Sequence, residues 1–246
     1  MITKPISQKH ILLFVIFLSS ILVACGSTDG MDPETLMKLT QTATAGTQTA
    51  AVSVNVCDQA STPTSVFWIY QDATSANNHF VPSGYMGDVG DIVINESHKE
   101  NPCSGETSIE VVYKPEGKGP NSCDYSAPCK WAGVYWLQPA NNWGQDAMLK
   151  DKGFDLTGNT RLVFWARAEQ NSEMEFKTGG VVAPYGDSLE FPRATIADLT
   201  KEWQQFEIDL QGADISYIIG GFVFSANWDK NPDGITFYLD DIRFEK

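Results

Sequence analysis

Aromatic and amide side chains crowd one stretch, Lys130-Trp-Ala-Gly-Val-Tyr-Trp-Leu-Gln-Pro-Ala-Asn-Asn-Trp-Gly144. Flat apolar rings pack against the C–H faces of a sugar, and amides or carboxylates pair with its hydroxyls. This mixture is therefore the chemistry of a neutral-sugar site. Strand alternation puts one of Tyr135 and Trp136 in a core and the other on the opposite face. Trp143, in an Asn/Gly loop beside Gln138, Asn141 and Asn142, is the first candidate platform. Trp228, between Asn227 and Asp229, is a second exposed candidate, whereas Trp165 and Trp203 follow strand patterns and are assigned to the core.

A second cluster is Phe80-Val-Pro-Ser-Gly-Tyr-Met-Gly-Asp-Val-Gly-Asp91. Its glycines permit positive φ, so it reads as a structured loop and not a strand. Tyr85 offers a ring, and Asp88 and Asp91 offer acceptors for sugar hydroxyls or a cation. The alternative is that the aspartates satisfy their own backbone amides. A third cluster is Asp240-Asp241. Phe237 and Leu239 set one apolar phase while Ile242 and Phe244 set the other, so a bulge or special site must separate them. Hard carboxylate oxygens there suit Ca²⁺, and the alternative is two acids at a solvated sheet edge.

Catalytic signatures are scarce. Glu207-Ile-Asp209-Leu-Gln211 resembles the E-I-D-Φ-E strand of a β-sandwich glycosidase family, but Gln211 replaces the second glutamate. Glycoside hydrolysis needs two positioned carboxyl groups. Ser83 lies in no nucleophile elbow. His79 and His98, the two histidines that follow Cys25, have unrelated neighbours, and HExxH, CxxC and GxGxxG are absent from that part of the chain. A hydrolase or lyase using scattered Asp, Tyr and Arg residues stays open as an alternative.

The elements that must position these residues begin after an N-terminal leader. Lys4 and Lys9 precede an apolar run from Ile11 to Val23, too short for a membrane span, and a small residue, Ala24, precedes Cys25. Leu22-Val-Ala-Cys25 resembles the lipobox of bacterial lipoproteins. The resemblance implies cleavage after residue 24, a diacylglycerol on Cys25 and an extracytoplasmic, lipid-anchored protein. Loss of the leader's two lysines takes the formal charge from −14 to about −16, which opposes nucleic acid and anionic headgroups. Membrane contact is then expected through the lipid alone. Residues 25–62 are rich in Thr, Ala and Ser and read as a tether. Cys57, Cys103, Cys123 and Cys129 form an even set in an exported chain. Of three possible pairings, Cys57–Cys103 with a local Cys123–Cys129 is expected.

From about Val66 short runs rich in Val, Ile, Phe, Tyr and Trp alternate with Gly, Pro, Asn and Asp clusters. The runs are Val66–Tyr70, Asp91–Asn95, Ser108–Tyr113, Gly133–Leu137, Arg161–Arg167, Met174–Lys177, Trp203–Leu210, Ile218–Ser225 and Ile235–Phe244. They predict an all-β sandwich over residues 63–246. Leu156-Thr-Gly-Asn-Thr-Arg-Leu-Val-Phe-Trp-Ala-Arg167, Trp203-Gln-Gln-Phe-Glu-Ile-Asp-Leu210 and Gly234-Ile-Thr-Phe-Tyr-Leu-Asp-Asp-Ile-Arg-Phe244 resemble strands of jelly-roll carbohydrate-binding modules with a galactose-binding-like sandwich. That resemblance implies carbohydrate binding without cleavage. It also implies a structural calcium held by a closing-strand aspartate, Asp240 or Asp241, together with Asp72 after the first strand. The alternative to a cell-surface module that captures poly- or oligosaccharide is a structural or protein-interaction envelope lipoprotein.

Overall fold

The computed structural model describes residues 57, 63, 65–119, 123 and 127–246, all within one compact unit, Ser53–Lys246. The leader, Cys25 and nearly all of the stretch assigned to the tether lie outside the described residues.

Eleven strands follow one another: β1 (Val66–Tyr70), β2 (Val81–Gly87), β3 (Ile92–His98), β4 (Ser108–Tyr113), β5 (Trp131–Leu137), β6 (Arg161–Ala168), β7 (Ser172–Thr178), β8 (Arg193–Leu199), β9 (Gln204–Asp209), β10 (Gly220–Asn227) and β11 (Ile235–Glu245). They form a jelly-roll sandwich of two antiparallel sheets. The first runs β3-β4-β11-β6-β9 with β1 paired to the far half of β11, and the second runs β2-β5-β10-β7-β8. No α-helix occurs among the described residues.

The layers meet over alternating side chains. Phe164 of β6 and Phe237 and Phe244 of β11 face Phe176, Phe222, Phe224 and Trp136 of the second sheet, all fully buried. Ring pairs such as Phe164–Phe176 at 4.8 Å and Phe224–Phe237 at 5.1 Å interlock the sheets. Each such ring contributes about 2–3 kcal/mol by leaving water.

Two strands go beyond the runs that the sequence pattern marks. Val81–Gly87, read from sequence as a loop, is β2, and Arg193–Leu199 is β8. Both lie at the edges of the second sheet, where Pro82 leaves no central ladder bond unmade. Gly84 belongs to β2 for space. A Cβ there would lie 2.8 Å from Tyr135 Cβ and 3.0 Å from Trp143 Cζ2.

The expected bulge is present. The β11–β6 register shifts between Asp240 and Arg243, and Asp241 takes φ +49°, a conformation that a short polar side chain tolerates. Trp165 and Trp203 are buried, but not between the layers. With Tyr238 they form a satellite cluster under the Cys57–Cys103 disulfide, on the outer face of the first sheet. Strand alternation compels this, because Phe164 and Ala166 point inward. The Arg167 guanidinium lies 3.8 Å from the Tyr238 ring centroid. Cys123 pairs with Cys129, as expected.

Candidate functional site

The outer face of the second sheet carries a cleft of about 700 Å³. Its floor follows from strand register. Val134 and Trp136 point into the core, so Trp131, Gly133 and Tyr135 point out along β5. Directly opposite residues share a face, so Met86, Gly133, Ser225, Glu175 and Ile196 form one row across the five strands. Gly84, Tyr135, Val223, Lys177 and Ala194 form the next. Gly133 lowers the floor between two aromatic side chains. A Cβ there would come within 2.5 Å of the Phe224 carbonyl oxygen, so the site admits only glycine without a backbone shift.

One wall is apolar and aromatic: Met86, half-buried Trp131, and Tyr135. The Tyr135 hydroxyl donates to the Gly179 carbonyl at 3.1 Å, and burial pushes its pKa up to about 12. The other wall is polar, with Lys177, Ser225, Asn227 and Asp229, and Lys130 and Cys129 form one rim. Lys177 Nζ and Ser225 Oγ both reach Glu175 Oε2, at 2.7 and 3.1 Å.

The expected site residues divide. Trp143 stacks edge-on to Tyr135, with centroids 5.8 Å apart, and covers a small apolar cluster of Tyr135, Leu137, Val181, Ile219 and Val223. It stands next to the cleft and is not among the residues lining it. Asn141 in the same loop is exposed and donates its amide to Ser83 Oγ. Asn142 is buried: its Nδ2 donates to the Gln138 carbonyl and its Oδ1 accepts from Gly144 N, so it holds the loop instead of facing a ligand.

Asp88 and Asp91 are corrected likewise. Asp88 is fully buried, with one oxygen accepting from Cys129 N and the other from Lys130 N, each at 2.9 Å. Asp91, 2 % exposed, accepts from the amides of Glu116, Gly117 and Lys118. Both clamp remote loops and are closed to sugar hydroxyls. Tyr85 shares the face of Val134, on the side of the sheet away from the cleft, and is 40 % exposed only because β2 is an edge. Trp228 is partly buried against the main core. Its backbone N–H donates to the Lys130 carbonyl, so it supports the cleft rim from behind.

The calcium candidates meet at the β11 bulge, but the oxygens of Asp240 and Asp72 are already engaged, and the Asp241 carboxyl is hydrogen-bonded to Ser104. Asp240 Oδ2 accepts from the amides of Cys103 and Ser104, and Oδ1 accepts from Asp241 N. Asp72 accepts from the Thr107 hydroxyl and from the amides of Glu106 and Ala73. Among the described residues no group of three or more His, Cys, Asp or Glu side chains is arranged to hold a metal ion. As these side chains stand, the set does not fit a calcium cage. Burial and the neighbouring Asp241, offset by amide bonds, push the Asp240 carboxyl up to about 8.

Trp131, Lys177, Ser225, Asn227 and Asp229 escaped the sequence reading as site residues. The alternation around Trp136 was a signal for Trp131. The polar wall had none, because it depends on pairings between strands far apart in sequence. Glu207 and Asp209 of β9 are exposed on the other sheet and belong to no shared site with the cleft.

No family model and no curated protein matches the chain. Solved structures similar to it include a family 30 carbohydrate-binding module of a cellulosomal cellulase of Clostridium thermocellum, 14% identical, covering 74% of this chain and 98% of that one, with TM-score 0.46. A family 11 carbohydrate-binding module of another cellulosomal cellulase of Clostridium thermocellum is 13% identical, covering 71% and 91%, with TM-score 0.42. The CBM22-1 xylan-binding domain of a Paenibacillus barcinonensis protein is 11% identical, covering 76% and 97%, with TM-score 0.39.

Proposed function

We propose that this protein binds poly- or oligosaccharide without cleaving it, in the cleft on the outer face of the second sheet. The observation that carries the reading is the glycine-floored cleft, with Trp131 and Tyr135 on either side of Gly133 and a polar wall opposite. A sugar chain lying along β5 would stack a ring on Trp131 and place its hydroxyls toward β10 and β7. Asn141 and the exposed edge of the Trp143 loop would border the chain beyond Tyr135.

Asp229 is the one acidic side chain among the residues lining this cleft, which supports a reading without hydrolysis by paired acids. The Leu22–Cys25 motif supports placement at the cell surface through a lipid on Cys25, and the two disulfides fit an oxidising compartment. A glycan array of plant, microbial and host polysaccharides tests the reading. Saturable binding to one polysaccharide class without release of reducing ends or unsaturated product is expected. Product release would make the protein an enzyme, and an empty array would favour a structural or protein-interaction role.

A further inference from the structure

Within the carbohydrate-binding reading, on which this inference rests, three side chains of the polar wall have fixed hydrogen-bonding roles. Glu175 Oε2 accepts from Lys177 Nζ and from Ser225 Oγ. A serine hydroxyl has one proton, and here it points at Glu175, so the lone pairs of Ser225 Oγ remain as an acceptor. An ammonium has three N–H groups, and the ion pair engages one, which leaves Lys177 a donor. Both residues line the cleft, while Glu175, on the same outer face directly opposite Ser225, is not among its lining residues. Register pairs Val223 with Lys177 and Ser225 with Glu175. Lys177 and Ser225 are thus diagonal neighbours across two strands, about 7 Å apart at Cβ, and their tips meet at one Glu175 oxygen, Oε2.

A donor and an acceptor at that spacing match two hydroxyls on adjacent ring carbons, one accepting from Lys177 and the other donating to Ser225. We propose that Lys177 and Ser225 read a vicinal diol of a neutral sugar, with Glu175 as the positioning residue that decides which partner donates and which accepts. The charges in the cleft select against acidic sugars. Glu175 neutralises Lys177, Asp229 offsets Lys130, and the chain as a whole carries −14. A uronate or sulfated sugar would find no net positive charge to replace its hydration.

The test measures affinity by titration calorimetry against whichever neutral polymer binds best among soluble β-glucan, xylan, galactan and mannan. Pectate and alginate form the acidic arm. The wild type is compared with Lys177→Met and Ser225→Ala, on the native polymer and on its O-methylated form, which keeps the rings and the acceptor oxygens and removes the hydroxyl protons. Both side chains are partly exposed, and thermal melting confirms that the variants fold. About a tenfold loss is expected for Lys177→Met and a smaller loss for Ser225→Ala on the native polymer. On the methylated polymer, whose ether oxygens still accept but no longer donate, the wild type is already weakened and Ser225→Ala weakens it no further. Glu175→Gln should lower affinity even though it does not line the cleft, and Glu175→Gln in the Lys177→Met background should add little. If the wild type binds a neutral polymer and Lys177→Met and Ser225→Ala bind it equally well, the diol assignment is wrong while carbohydrate binding stands. Tighter binding to pectate or alginate overturns the neutral-sugar assignment alone. Failure of the wild type to bind any polymer overturns the carbohydrate reading and this inference with it.

Discussion

Replacing Asp88 by alanine separates a clamp from a ligand contact. Its carboxylate accepts two amide N–H bonds, from Cys129 and Lys130, and the residue is fully buried. A hydrogen bond to a charged acceptor is worth about 1.5–3 kcal/mol. Cys129 is half-buried and Lys130 exposed, so water recovers part of the loss at both amides. The net destabilisation is then about 2–4 kcal/mol. For a domain of this size that lowers the melting temperature by roughly 5–15 °C. Asp88→Asn keeps one acceptor and should lose about half as much. Circular dichroism melting gives the stability, and glycan titration well below the melting point gives the affinity, which should stay near wild type. An unchanged melting temperature with lost affinity would refute the clamp and return Asp88 to the ligand.

Further expectations follow from the same geometry. Burial raises the Asp187 carboxyl to about 6 and the Asp240 carboxyl to about 8. The neutral acid is therefore favoured in the fold, and the stability it gives is complete below the ordinary carboxylate range and lost as pH rises through these values. The urea midpoint should fall between about pH 4 and about pH 8, with the upper part flattened in Asp240→Asn, and a rising midpoint would contradict this. Because the oxygens of Asp72 and Asp240 already accept N–H and O–H donors, EDTA or added calcium should leave the melting temperature unchanged, and a drop of several degrees in EDTA would reinstate a cation. Trp228→Ala should cost about 2 kcal/mol, less than a fully buried tryptophan, and leave glycan affinity near wild type once folded.

Much of the sandwich was legible because its strands bury one face and so alternate plainly. The switch from Phe237 and Leu239 to Ile242 and Phe244 marks the β11 bulge in the sequence itself. Strand β2 was not legible, since Pro82, Gly84 and Gly87 carry turn chemistry. Only the closeness of Tyr135 and Trp143 explains Gly84, and only an edge position explains Pro82. Site residues divide on the same principle. The Trp131–Gly133–Tyr135 face is local and follows from period two along β5. The pairing of Ser225 with Glu175, and the clamps of Asp88 on Cys129 and of Asp91 on Gly117, join segments remote in sequence. A carboxylate among glycines looks the same on paper whether it meets a ligand or a distant amide.

The central claim is that the outer face of the second sheet holds the sugar, with Trp131 as its platform. Titration of the best-bound neutral polysaccharide against wild type, Trp131→Ala and Trp143→Ala tests it most directly. The account predicts at least a tenfold loss for Trp131→Ala with the melting temperature little changed, and a smaller loss for Trp143→Ala, which acts through Tyr135. Wild-type affinity in Trp131→Ala would contradict it.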